Sequence, residues 1–181
     1  IGGDGSLKSL VDRATGEEKW NYGGGAIMNG TIVIGGGRVY FLENNDLAPP
    51  AGDYEGPGRR NVGNFLAGPT ALVALDLETG EEAWRREITL PFTEIMYQSY
   101  SEDKLVLTGS FNRDGRACYG LRALAATDGS DVWENSFDSG YGSGGSHGEQ
   151  WQHPVIMDGA IYLLNGPAHD LASGTRVGVT V

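Results

Sequence analysis

An eleven-residue pattern recurs along this chain, and a recurring unit constrains a fold more tightly than any single motif does. Residues 74–84 read ALDLETGEEAW and residues 10–20 read LVDRATGEEKW, which places Asp12, Thr15, Gly16 and Trp20 at the spacing of Asp76, Thr79, Gly80 and Trp84. A third copy, ALAATDGSDVW at 123–133, keeps Gly129 and Trp133 but has Ala125 for the Asp and Asp128 for the Thr. A fourth, AHDLASGTRVG at 168–178, keeps Asp170 and Gly174, with Ser173 in the Thr position and Gly178 in the Trp position. The turn glycines Gly16, Gly80, Gly129 and Gly174 lie 64, 49 and 45 residues apart. That is a repeat of about 45 residues with an insertion in the first interval, the size of a four-stranded propeller blade.

Each copy reads as strand, turn, strand. TALVAL and YGLRAL supply β-compatible residues, and Asp-x-x-Thr-Gly then reverses the chain. The Asp side chain accepts from backbone N–H groups just ahead of it, and Gly takes the left-handed conformation that closes the turn. The Trp four residues later stands in the returning strand, where its ring can pack on the neighbouring repeat. Upstream of three copies lies a second hairpin: TIVIGGGRVYFLEN, IMYQSYSEDKLVLTGS and HPVIMDGAIYLLNG, with Gly-Gly, Asp-Lys and Asp-Gly as the expected turns. Each unit is therefore four antiparallel strands, A to D. No stretch keeps a 3.6-residue apolar period, so almost no helix is expected. The predicted fold is all-β, a β-propeller.

Composition removes several function classes. The 30 glycines among 181 residues are spread along the chain, as many tight turns require. A net charge of -11 argues against a nucleic-acid surface or an anionic membrane, both of which want clustered Lys and Arg. No apolar run reaches transmembrane length, and the chain, which opens on Ile1, is expected to be a processed piece or a fragment. The single Cys118 rules out an internal disulfide framework.

The motif Ala-x-Asp-x-x-Thr-Gly-x-x-x-Trp resembles the tryptophan-docking motif of pyrroloquinoline quinone (PQQ) repeat propellers. Residues 74–84 match it at every defined position and residues 10–20 at all but the first. That superfamily includes quinoprotein alcohol dehydrogenases and the propeller lipoprotein of outer-membrane protein assembly, so the resemblance implies fold more than activity. On this reading residues 1–22 give strands C and D of one blade. Further blades occupy 24–87, with an insertion at 43–69, then 91–137 and 152–181. Relatives close rings of seven or eight blades, so the chain is expected to be part of a larger propeller whose remaining blades are partners of these.

Strand parity then locates the irregular segments. In an A-B-C-D blade the Thr-Gly turns, all C-to-D, gather on one face, while B-to-C and D-to-A connections gather on the other. Both long loops, 43–69 and 138–153, fall on that second face, the usual place for a propeller to build a site. In the second loop His147, Glu149, Trp151 and His153 alternate, so an extended backbone would point them to one side. Two imidazoles and a carboxylate form a metal or acid–base set, and Trp151 could stack on a planar ligand. Simple ordering of the loop competes with that reading. In the first loop Glu43, Asn44, Asn45 and Asp46 are oxygen donors for a cation such as Ca²⁺, and Arg59 and Arg60 could hold an anion, although a solvated loop has the same composition. Gly140-x-Gly142-x-x-Gly145 mimics a dinucleotide fingerprint without its strand-to-helix setting. Cys118, inside an expected C strand, is read as a buried inert thiol.

Two functions of different class follow. One is a binding or scaffold propeller that holds a protein or glycan partner in the periplasm, cell envelope or outside the cell. The other, implied by the resemblance, is part of a PQQ- and Ca²⁺-dependent dehydrogenase oxidising an alcohol or sugar. Catalytic relatives stack the quinone on adjacent cysteines, and no Cys-Cys pair occurs here. The non-catalytic reading is preferred.

Overall fold

Antiparallel ladders joined by short turns make up nearly all of the structure, a computed structural model that describes residues 9–46, 62–93, 96–142, 154–163 and 166–178. Strands β1 (Ser9–Val11) and β2 (Glu18–Asn21) form a two-stranded sheet. The second sheet holds β3 (Ala26–Ile27), β4 (Val33–Gly35), β5 (Arg38–Asn44), β6 (Thr70–Asp76) and β7 (Glu82–Glu87). The third holds β8 (Met96–Ser101), β9 (Lys104–Arg113), β10 (Arg116–Ala125) and β11 (Asp131–Gly142). The fourth holds β12 (Val155–Met157), β13 (Ala160–Tyr162), β14 (Ala168–Asp170) and β15 (Arg176–Val177). Spatial order follows chain order in each sheet, and every pairing is antiparallel. The architecture is a β-propeller: three full blades and the C–D half of another.

The blades stack face to face, and side-chain alternation along the middle strands builds the seams. On β5, Val39 and Phe41 join Val73 and Leu75 of β6 beneath Trp20 and Tyr22 of the first blade. The alternate residues Tyr40, Leu42, Leu72 and Ala74 meet Leu105, Leu107 and Leu124 of the third blade. Val106 and Leu121 then face Ile161, Leu163 and Leu171 of the fourth. A middle strand buried on both faces has to be apolar without alternation, which is why TALVAL reads as a continuous run. Each such Leu contributes roughly 1.5–3 kcal/mol by leaving water. Outer strands keep one wet side, as in the alternation of exposed and half-buried residues along β7.

Three local features depart from the sequence expectation. Strand A of the second blade is interrupted: a single 3-10 turn, Asn29–Thr31, separates β3 from β4. The ladder acceptor lost there is replaced by the Thr31 hydroxyl, which accepts from Leu42 N–H at 2.9 Å and donates to Met28 C=O at 2.7 Å. In the third blade the A–B turn is Glu102–Asp103, with φ of 46° and 55°, rather than Asp-Lys. Lys104 already pairs with Ser101 there, and Asp103 accepts from the Tyr100 hydroxyl at 2.7 Å. Finally, β11 continues to Gly142, past the 138 at which a loop is expected. The long β9–β10 hairpin, closed by Asp114–Gly115, offers it a template, with Cys118 opposite Asp138 and Arg116 opposite Gly142. Helix α1 (Val62–Leu66), one turn at the end of the 43–69 insertion, buries Phe65. No helix among the described residues is long and apolar enough to cross a membrane.

Candidate functional site

The repeated residues meet at the seams between blades. Asp76 Oδ1 accepts from the backbone N–H of Glu78 and of Thr79, both at 2.9 Å, and Gly80 turns the chain at φ 73°. Asp12 does the same for Ala14 and Thr15 at 2.8 and 3.0 Å, before Gly16 at φ 77°. In the degenerate copies Asp128 accepts from Ser130 N–H at 2.8 Å, and Asp170 from Ser173 N–H at 2.7 Å. Donated hydrogen bonds favour the charged carboxylate, so all four acids sit below the ordinary carboxylate value. The chief cause is the Thr15 and Thr79 backbone for Asp12 and Asp76, and the Ser130 and Ser173 side chains for Asp128 and Asp170.

The tryptophans reach across the seams. Trp20 Nε1–H donates to Leu77 C=O at 3.0 Å, Trp84 to Ala126 C=O at 3.1 Å and Trp133 to Leu171 C=O at 3.0 Å. Their rings lie on Gly80, Gly129 and Gly174, where an added Cβ would collide with the indole. Each of these glycines is thus required twice, once for its left-handed φ and once for having no side chain. Ion pairs reinforce the same seams, Lys19–Glu78 at 3.0 Å and Arg86–Asp131 at 2.9 Å.

Glu43, a candidate cation ligand, is fully buried and already engaged. Its carboxylate pairs with Arg85 at 2.5 Å, accepts from the Tyr22 hydroxyl at 3.1 Å and accepts from Gly25 N–H. Tyr22 Oη also accepts from Arg85 Nη2 at 2.7 Å. Burial first, and the negative charge of Glu43 second, push the Tyr22 phenol up to about 12. Burial works to lower Arg85, but its hydrogen bonds to Glu43 and Glu82 outweigh that and raise it. The cluster ties the first blade to both B and D strands of the second. The glycine run 23–25 permits it, since a Cβ on Gly24 would overlap Glu43 and the Tyr22 ring. Asn45 and Asp46 are exposed, and Asn44 Nδ2–H donates to Phe65 C=O at 2.6 Å. Among the described residues no three His, Cys, Asp or Glu side chains gather as a metal cluster.

A cleft of about 180 Å³ opens on the second to third blade side. It is lined by Leu90 and Phe92 of the D-to-A connection, Phe111 and Arg113 of β9, Gly120 of β10, and Glu134 and Ser136 of β11. Gly120 lets the Phe92 ring lie directly on β10, because a Cβ there would stand 2.7 Å from it. Nothing in the sequence singled out Phe92, Arg113 or Gly120. The available signal was a glycine amid strand formers, which marks a close approach. Cys118 is buried on β10, with an Arg113 Nη2–H directed at its sulfur at 3.7 Å. His147, Glu149, Trp151, His153, Arg59 and Arg60 lie outside the described residues.

These arrangements do not fit a quinone and Ca²⁺ among the described residues. Glu43 is occupied by a guanidinium, Cys118 is buried without a cysteine neighbour, and the cleft is smaller than the ~300 Å³ at which small-molecule sites begin.

The family model described as outer membrane protein assembly factor BamB, a PQQ-repeat model, matches residues 3–141. The chain belongs to that family. Among solved structures, BamB from Moraxella catarrhalis is similar at 16% identity and a TM-score of 0.49, covering 98% of this chain and 49% of that one. The exotype rhamnogalacturonan lyase YesX is similar at 17% identity and a TM-score of 0.42, covering 89% and 33%. The chain therefore spans about half the length of the Moraxella BamB. A search of curated proteins finds no match.

Proposed function

We propose that the chain is a binding and scaffold module of outer-membrane protein assembly that works in the periplasm and holds a protein partner. The observation that carries this reading is the family match over residues 3–141. Two structural features support it. The acids of the repeats close their own turns, the tryptophans join blades, and the Glu43 carboxylate is neutralised by Arg85 rather than presented to a ligand. The polar chemistry of the described blades is thus largely structural. The B-to-C and D-to-A connections, which share one side of an antiparallel propeller, hold the long irregular segments of the sequence. The partner is held there, on connections fixed by rigid sheets.

Site-specific photo-crosslinking in the cell envelope tests the proposal. A crosslinker at position 60, 114 or 149 is expected to trap outer-membrane assembly components, identified by mass spectrometry. One at position 17 or 81, beside the Thr-Gly turns, is expected to trap none. Equal trapping from both faces, or no envelope protein from either, would refute it.

A further inference from the structure

The cleft between the Leu90–Phe92 connection and the third blade has a composition unlike the seams around it. Its inner part is apolar: Leu90 and Phe92 are 7% and 2% exposed, and Phe111 is half-buried beside them. Its outer part carries Arg113, Glu134 and Ser136, all exposed. Arg85, Arg86, Arg116 and Arg122 each hold a carboxylate at 2.5–2.9 Å. Arg113 differs. Its guanidinium lies 5.5 Å from the centre of the Phe111 ring, and among the described residues it reaches only neutral groups, Ser136 Oγ at 3.4 Å and Cys118 Sγ at 3.7 Å. Both contacts are long, so the cation keeps donors for a further acceptor.

Size decides what such a place can take. A space of about 180 Å³ is below the range of cofactor or drug-sized sites but suits one large side chain of a protein segment, the way interface anchors fill pockets. Location agrees, since Leu90–Phe92 belong to a D-to-A connection and Arg113 adjoins the B-to-C turn Asp114–Gly115. The cleft therefore opens on the side proposed above for the partner.

We propose that this cleft is an anchor site for an extended segment of a protein partner, taking one aromatic side chain against the wall that Phe92 and Phe111 form and pairing the acidic residue that follows it with Arg113. The proposal rests on the scaffold reading for its partner but not for its chemistry. In a chain of net charge -11, a cation that no described carboxylate pairs is a specific attractor for an acidic group, and the Phe111 ring beneath it holds the guanidinium in place. Glu134 repels an acid from the other side of the cleft and so fixes which way the segment lies.

The test is an NMR titration of the ¹⁵N-labelled intact protein with three blocked peptides: acetyl-Gly-Phe-Asp-Gly-amide, its Phe-Lys counterpart and its Ala-Asp counterpart. Saturable shifts are expected at the amides of Phe92, Phe111, Gly120 and Ser136, with a dissociation constant for the Phe-Asp peptide of roughly 1 mM. The Phe-Lys and Ala-Asp peptides should each bind roughly fivefold more weakly, the scale of one half-exposed ion pair or one partly buried side chain. Arg113→Glu should reverse the Asp-over-Lys preference, and Arg113→Gln, the milder change if the first disturbs the fold, should abolish it. Equal affinities for the three peptides, shifts located elsewhere, or a preference indifferent to position 113 would overturn the proposal. Envelope crosslinking by Arg113→Glu separates the two readings. Unchanged crosslinks alongside failed peptide binding would overturn the cleft and leave the scaffold standing, whereas selective peptide binding without crosslinks would support the cleft and remove the scaffold.

Discussion

Trp84→Ala is the most direct probe of how blades adhere. The indole is half-buried between the second and third blades, lies on Gly129 and packs 6.0 Å from the Tyr40 ring. Removing about 100 Å² of apolar surface at roughly 25 cal/mol per Å² costs about 2.5 kcal/mol. The lost Nε1–H bond adds about 0.5 kcal/mol, at the low end of the usual range, because its acceptor is not orphaned. Ala126 C=O also accepts from Arg38 Nη1 at 3.0 Å and from the Tyr40 hydroxyl at 3.3 Å. The expected loss is therefore about 3 kcal/mol, within the range seen for truncating large aromatics. Urea unfolding followed by circular dichroism would show it as a midpoint lowered by about 1.5 M for a slope near 2 kcal/mol/M. Trp84→Phe, which keeps most of the ring but not the donor, should lose only about 1 kcal/mol. A loss below about 1 kcal/mol for the Ala variant, or equal losses for both, would show that the ring does not bind the blades together.

Other outcomes follow from the same contacts. Gly129→Ala combines a left-handed φ of 74° with a Cβ 2.9 Å from the Trp84 ring, whereas Gly37→Ala has the same φ and open space. Chemical denaturation should therefore find the first costlier by at least ~1 kcal/mol, and parity would remove the second role of the turn glycine. Glu43→Gln leaves Arg85 without its buried counter-charge and should destabilise by about 2 kcal/mol, below the fully buried range because Arg85 is 30% exposed. A neutral or stabilising result would mean that the cluster does not join the first two blades. Asp12 and Asp76 have folded values below the unfolded 3.8, so the stability they add is present above that pH and is lost as pH falls through their lowered values. Asp76→Asn should flatten the fall in melting temperature below about pH 4, and an unaltered acid limb would refute the assignment. Pyrroloquinoline quinone with Ca²⁺ should leave thermal unfolding unchanged. A ligand at a hundredfold excess over its Kd adds about 2.7 kcal/mol, so a saturable rise in melting temperature would revive the dehydrogenase reading.

Local chemistry made the blades legible in the sequence. The Asp12 and Asp76 turns are closed by bonds to residues two and three positions on, and Gly16 is demanded by φ alone. Such interactions leave their mark within a few residues, so the repeat, the strand–turn–strand units and the all-β class could be read directly. The continuous apolar run Thr70–Leu75 was equally informative, because a strand buried on both faces has no other way to be written.

What joined these units was decided only in three dimensions. Trp20 and Leu77 are 57 residues apart, and Glu43 meets Tyr22 and Arg85 across separations of 21 and 42. No local pattern encodes such pairs, so Glu43 read as a loop oxygen donor although it is the buried end of an ion pair. The length of β11 depended likewise on the β9–β10 hairpin beside it. The cleft needed four separate segments, one of them brought close to β10 by the missing side chain of Gly120. Turn and strand preferences are set by a residue and its chain neighbours, and the sequence shows those neighbours. Burial, counter-charge and cavity are set by whichever strand lies across the seam, and only the stacking of blades determines which strand that is.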